Sequence, residues 1–144
     1  MAAGVFYLPV VIDVEQVRRN FAGWTNKEIA KVVGWLVKAL STVTPAAMLG
    51  STAPFADPGE VVVEVTDRQP VNAMAAFEQP VSPTLSASVD AFDHHMQRVW
   101  SMIGRPSTVV RLSEFIDPKA STPAVERLAD TVAHAVEGSP QPSK

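Results

Sequence analysis

The segment VDAFDHHMQRVW, residues 89–100, holds two adjacent histidines with carboxylates close by in a run of apolar residues. Asp90 and His94 stand four positions apart, about one helical turn. On a helix the carboxylate could orient the imidazole for proton transfer, or the two could share a metal ion. A zinc centre needs at least three protein ligands, and the only other histidine is His134. Asp90, His94 and His134 are therefore the metal-ligand candidates, and Asp90, His94 and His95 the candidates for a small enzyme's acid–base group. Helical geometry favours a plainer reading. Counting from Ser88, the residues Val89, Phe92, Met96, Val99 and Ile103 recur at intervals of three and four and form an inward stripe, with Trp100 beside it. Asp90, His94, Gln97 and Ser101 share the opposite face, and His95 flanks the core. The pair then belongs to a solvated face with a small i,i+4 electrostatic gain, and no metal, cofactor or catalytic residue is assigned to it.

Other catalytic patterns are absent. The chain contains no GxSxG, P-loop, GxGxxG, HExxH or EF-hand sequence. It also contains no cysteine, which excludes disulfides, thiolate metal sites and cysteine nucleophiles. Glu64, Glu78, Glu114 and Asp117, with Arg105 and Arg111, fall on expected strands and loops, where a solvated side chain is the default. A non-catalytic protein is expected.

The elements that would position these residues follow from periodicity and punctuation. Val5 to Ile12 (VFYLPVVI) is β-branched and aromatic and reads as a strand, with Pro9 placing it at an edge or in a bulge. Asp13 and Gln16 have capping-box spacing, so a short helix is expected from Val14 to Ala22, stopping at Gly23. Thr25 and Glu28 form a second box, followed by a stripe of Ile29, Val32, Val33, Leu36, Val37, Leu40 and Val43. Thr44 to Gly59 reads as a long loop. Glu60 to Thr66 alternates as a strand with Val61, Val63 and Val65 on one face. Asp67 to Pro83 is broken by prolines, with a weak edge strand at 72–77. A helix follows from Ser88 to Ile103, closed by Gly104 and Pro106, then a strand from Thr108 to Phe115. A last helix runs from Pro123, in its N1 position, to Glu137, ended by Gly138.

This order predicts an α+β, two-layer sandwich: helices packed on one face of a small mixed β-sheet, with ferredoxin-like or tautomerase-like connectivity and long proline-rich loops. Residues 1–138 are expected to form one domain and residues 139–144 a polar tail. The tautomerase chemistry that such connectivity suggests places a proline amine after the initiator methionine, and Ala2 stands there instead.

One stretch resembles a nucleic-acid reader. Residues 25–43 (TNKEIAKVVGWLVKALSTV) resemble the spacing of a helix-turn-helix, in which Ala30 would allow close helix contact and Gly34 would make the turn. The segment that would read DNA, LVKALST, offers one lysine and no arginine, asparagine or glutamine. A single uninterrupted helix with Gly34 facing a closely packed neighbour is the preferred reading. The net charge of -3, from 12 Lys+Arg against 15 Asp+Glu, likewise lacks the basic excess that phosphate binding requires. The N-terminal stretch has no leading basic residue and is interrupted by Pro9 and Asp13, so neither a signal peptide nor a membrane span is expected, and a cytoplasmic location follows.

Hydrophobic residues make up 47% of the chain, yet 12 prolines divide it into short elements. Regular surface on which to bury so much apolar material is limited, and monomers rarely leave it exposed in large patches. The expectation is a self-associating structural or assembly subunit, a homo-oligomer or part of a larger protein assembly, with no nucleic acid or membrane partner. Trp24, Trp35, Phe55, Phe77 and Trp100 are the aromatic anchor candidates, with Trp35 and Trp100 leaning towards the chain's own core. Phage-type virion or tail assembly proteins fit this profile by analogy at the level of fold.

Overall fold

A computed structural model describes residue 5, residues 7–42 and residues 58–139. The loop expected at 44–59 lies outside these residues except for Pro58 and Gly59. Val43, Phe55 and the tail from residue 140 onward lie outside them altogether. The described elements are α1 (Val14–Asn20), α2 (Asn26–Thr42), β1 (Val62–Val65), a 3-10 turn (Ala73–Phe77), α3 (Leu85–Ile103), β2 (Thr108–Arg111), a second 3-10 turn (Leu112–Phe115) and α4 (Ala124–Glu137). Four helices with a small antiparallel sheet make an α+β protein. Backbone packing divides the chain into two compact units: Met1–Val11 with Thr66–Ser107, and Ile12–Val65 with Thr108–Lys144.

The second of these units holds the larger core. β1 and β2 pair antiparallel, with Val62 opposite Arg111, Val63 opposite Val110, Glu64 opposite Val109 and Val65 opposite Thr108. Period-2 alternation turns Val61, Val63 and Val65 onto a cluster that includes Val110, Leu112, Leu128, Val132 and Val136. Glu60 secures the entry to β1. Its carboxylate accepts the Val61 and Ser113 backbone N–H groups at 3.0 and 3.1 Å and the Ser113 hydroxyl at 2.6 Å. The chain leaves β2 through the 3-10 turn, where the Arg127 guanidinium donates to the Phe115 carbonyl and lies 5.9 Å from the Phe115 ring. α4 then packs along α2, and the Lys38 ammonium donates across that contact to the Glu126 carboxylate at 2.6 Å.

Small residues set how close α2 and α4 come. A methyl group built on Gly34 would lie 3.0 Å from the Ala129 carbonyl oxygen and 3.2 Å from the Ala133 β-carbon. Ile29, Ala30, Val33, Gly34, Val37 and Ser41 are consequently the buried residues of α2. Ser41 is tolerated there because its hydroxyl donates to the Val37 carbonyl at 2.8 Å. Of the expected stripe, Ile29, Val33 and Val37 are buried and Val32 is half-buried, whereas Leu36 and Leu40 are exposed.

The other unit is built on α3. Thr84 caps it, accepting the Ala87 N–H at 3.3 Å, so the helix starts three residues before the expected Ser88. Gly104, at φ +88°, ends it in a conformation that favours glycine. The Arg68 guanidinium closes that end by donating to the carbonyls of Ile103 and Gly104. Met96 is the buried residue of the helix, and the 3-10 turn packs against it through Ala73 and its neighbours. The Tyr7 ring lies 5.4 Å from Phe77 and 6.3 Å from Phe92, and its hydroxyl accepts the Ala73 N–H at 3.3 Å.

Several expected boundaries are corrected. Val5 and residues 7–12 form no strand despite their β-rich composition, because no described residue offers them a ladder. Residues 73–77 form a 3-10 turn rather than an edge strand, since Asn72 accepts the Met74 N–H at 3.0 Å and starts a turn instead. β2 stops at Arg111, four residues short of Phe115. α1 ends at Asn20 rather than Ala22, and Pro123 caps α4 from outside rather than occupying its first turn. Only half of the first capping box forms: Asp13 accepts the Gln16 N–H, while the Gln16 side chain turns to Arg19 and Asn20.

Because the α2–α4 approach depends on the absence of a side chain, Gly34→Val should destabilise the protein by about 2–3 kcal/mol through overpacking against a helical backbone carbonyl. Urea unfolding of the variant would check this, and an unchanged midpoint would mean that the helices separate at no cost.

Candidate interaction surface

The histidine segment is fixed by α3. Asp90, His94, Gln97 and Ser101 are exposed on the outer face, and His95 is half-buried, as the helical spacing predicts. Val89, Phe92, Val99 and Trp100 are half-buried behind them, while Ile103, expected in the inward stripe, is exposed. Among the described residues, no group of three or more His, Cys, Asp or Glu could hold a metal ion. His134 is exposed near the end of α4. The acid–base candidates are not gathered into a site either: Glu78, Glu114 and Asp117 are exposed and Glu64 pairs opposite Val109 in the sheet.

What stands out instead is apolar surface. α2 carries a second apolar face besides the one on α4. Trp35 is 60% exposed, with Leu36 and Leu40 exposed beside it, and the Lys31 ammonium lies 5.1 Å from the Trp35 ring. The helix is continuous from Asn26 to Thr42, so the turn that a helix-turn-helix needs at Gly34 is not formed. Its start is set by Thr25 and Glu28, whose box forms in full. The Thr25 oxygen accepts the Glu28 N–H at 3.3 Å, and the Glu28 carboxylate accepts the Thr25 N–H at 2.7 Å and the Thr25 hydroxyl at 2.8 Å. Just before it, the Phe21 and Trp24 rings lie 4.7 Å apart, both exposed, at the turn where Gly23 takes φ +96°.

In the unit built on α3, the N-terminal segment is the most open apolar stretch. Leu8 is 72% and Val11 65% exposed, and Val10 is exposed between them. Met102 and Ile103 add a patch at the end of α3.

The five aromatic anchor candidates divide accordingly. Trp24 and Trp35 are exposed, which corrects the leaning of Trp35 towards the core. Phe77 is half-buried against Tyr7, and Trp100 is half-buried with the Arg105 guanidinium 5.0 Å from its ring. Phe55 lies outside the described residues. Leu8, Val10 and Val11 were not among the candidates, because their β-branched run read as a paired strand. The signal available for them was Pro9, which marks a segment unsuited to the middle of a sheet.

Residues 1–137 match the family model described as CT1975-like protein, a Cas family. The chain belongs to this CT1975-like family. No curated protein matches the sequence. No helix among the described residues is long and apolar enough to cross a membrane.

The hydrogen bonds from the Thr25 backbone and then its hydroxyl hold the Glu28 carboxyl below its ordinary pKa. A depressed carboxylate contributes stability that is complete above its unfolded pKa and is lost as pH falls through the lower, folded value. Acidification through the carboxylate range should therefore loosen the first turn of α2, and Glu28→Gln should flatten that part of the stability–pH profile. Denaturant midpoints of both proteins from neutral pH downward would show it, and parallel profiles would rule it out.

Proposed function

We propose that this member of the CT1975-like family is a non-catalytic, self-associating assembly subunit. The observation that carries the reading is that exposed large apolar side chains outnumber buried apolar residues among the described part of the chain. Isolated exposed apolar residues are ordinary, but these recur along single elements: Trp35, Leu36 and Leu40 on α2, and Leu8, Val10 and Val11 in the N-terminal segment. Covering them with protein removes the same water contact that a larger core would remove, at roughly 25 cal/mol for each Å² of apolar surface. Exposed indoles at Trp24 and Trp35 are the residue type that most often anchors such contacts. The family match lends no support to the phage-type version of this reading.

The finer fold belongs to the same proposal. α4 packs on β1 and β2, which is the beginning of a two-layer arrangement. The sandwich with ferredoxin-like or tautomerase-like connectivity requires more strands than the described residues form, and association is one way to supply them.

Light scattering across a dilution series of the whole chain tests the reading. A defined oligomer is expected at micromolar concentration, dissociating on dilution; a monodisperse monomer over the same range would overturn the proposal. A metal-dependent enzyme would instead co-purify with metal and lose it on His94→Ala.

A further inference from the structure

We infer that the outward face of α2 docks an amphipathic helix of a different protein, one that carries Asp or Glu along one border of its apolar stripe. At 3.6 residues per turn, α2 gives its small residues to α4 and leaves an opposite face made of two parallel strips. One strip is apolar: Val32, half-buried, with Leu36, Ala39 and Leu40, exposed, recur at i, i+4, i+7 and i+8. This is the spacing of a helix built to lie against another helix. The other strip is basic, with Lys27, Lys31 and Lys38 exposed along a single border. Trp35 stands between the two, 60% exposed, with the Lys31 ammonium 5.1 Å from its ring. The inference stands apart from the self-association proposed above, which it leaves to other surfaces.

Charge selects the occupant. The whole chain carries a net charge of -3, yet α2 holds three lysines against the single carboxylate of Glu28. That carboxylate is turned back on the start of its own helix, where it accepts the Thr25 N–H and hydroxyl at 2.7 and 2.8 Å. Lys38 is matched by Glu126 of α4. Lys27 and Lys31 have no carboxylate within ion-pair distance among the described residues. A second copy of this face would bring further lysines and no free carboxylate, so the surface is not self-complementary. It is also a poor phosphate track. Two unmatched lysines neutralise about two phosphates, and Val32, Leu36 and Leu40 offer neither charge nor a ring on which a base could stack. A protein helix satisfies both strips at once: its apolar stripe covers Val32, Leu36 and Leu40, and carboxylates on its border reach Lys27 and Lys31. Trp35 is then the central anchor, and the lysines form the polar rim that distinguishes one partner from another.

Two synthetic helical peptides serve as probes, read by fluorescence anisotropy against the full chain. They share one leucine stripe; the first bears glutamates along its border and the second lysines at the same positions. The glutamate peptide should bind, and the lysine peptide should bind about tenfold more weakly, because two surface attractions become two repulsions. Trp35→Ser, at an exposed position, should weaken the glutamate peptide by about tenfold or more. Lys27→Glu combined with Lys31→Glu should invert the preference, and a gain in binding of the lysine peptide is a result that a misfolded chain cannot give. Binding of neither peptide, equal binding of both, or a preference that survives the charge reversal overturns the proposal. Loss of a wild-type oligomer in Trp35→Ser, seen by sedimentation, overturns it too, by seating a second copy on the face. Displacement of the glutamate peptide by oligouridylate or by phosphatidylserine vesicles would assign the face to nucleic acid or lipid, with the same consequence.

Discussion

The close approach of α2 and α4 governs the larger core. At Gly34 the two helices are separated by little more than the width of a backbone, and the Ala129 carbonyl occupies the space that any side chain would need. Glycine in a helix interior costs about 1 kcal/mol relative to alanine, and the tertiary contact offsets it. Ala30, Val33, Val37, Leu128, Val132 and Val136 then interlock as one cluster. α4 lies against β1 and β2 as well, so the small sheet is positioned by a helix that is itself positioned by a missing side chain.

That packing has a consequence for the rest of α2. Because α4 binds the face of small residues, the larger apolar side chains Trp35, Leu36 and Leu40 are turned away from it. A helix with apolar residues over most of its circumference is suited to burial on two sides, and α2 is covered on one of them among the described residues. The N-terminal segment presents the same situation in main-chain form: strand-forming residues without a ladder. On α3, which carries the chain's most chemically suggestive sequence, His94 shares a solvated face with Asp90 while His95 is half-buried, and among the described residues no third ligand group is assembled around them.

Much of the local architecture was legible because it depends on short-range rules. The Thr25–Glu28 capping box, the glycine stop after α3, the alternating valines of β1 and the outward placement of Asp90 and His94 all follow from interactions within a few residues. Reading the inward face of α2 from hydrophobicity alone held at Ile29, Val33 and Val37 and failed at Leu36 and Leu40, which are exposed. The better signal was Ala30 with Gly34 four residues later, and its use as a close-packing surface was visible in the spacing. The strand expected at the N-terminus failed for a different reason. Strand propensity describes what a segment accepts as a neighbour, whereas a strand exists only when a second one is beside it.

Composition, capping and periodicity in the sequence itself determined the α+β character, the positions of the four helices to within a few residues and the absence of thiol chemistry. Only the tertiary structure decided which face of α2 meets α4, where β2 gives way to a 3-10 turn, and that Leu8, Val10, Val11 and Trp35 remain in water. The division has a physical cause. Helix caps and turn residues act over one or two turns of chain, while burial and strand pairing require partners distant in sequence, and a single residue's type does not reveal whether such a partner arrives.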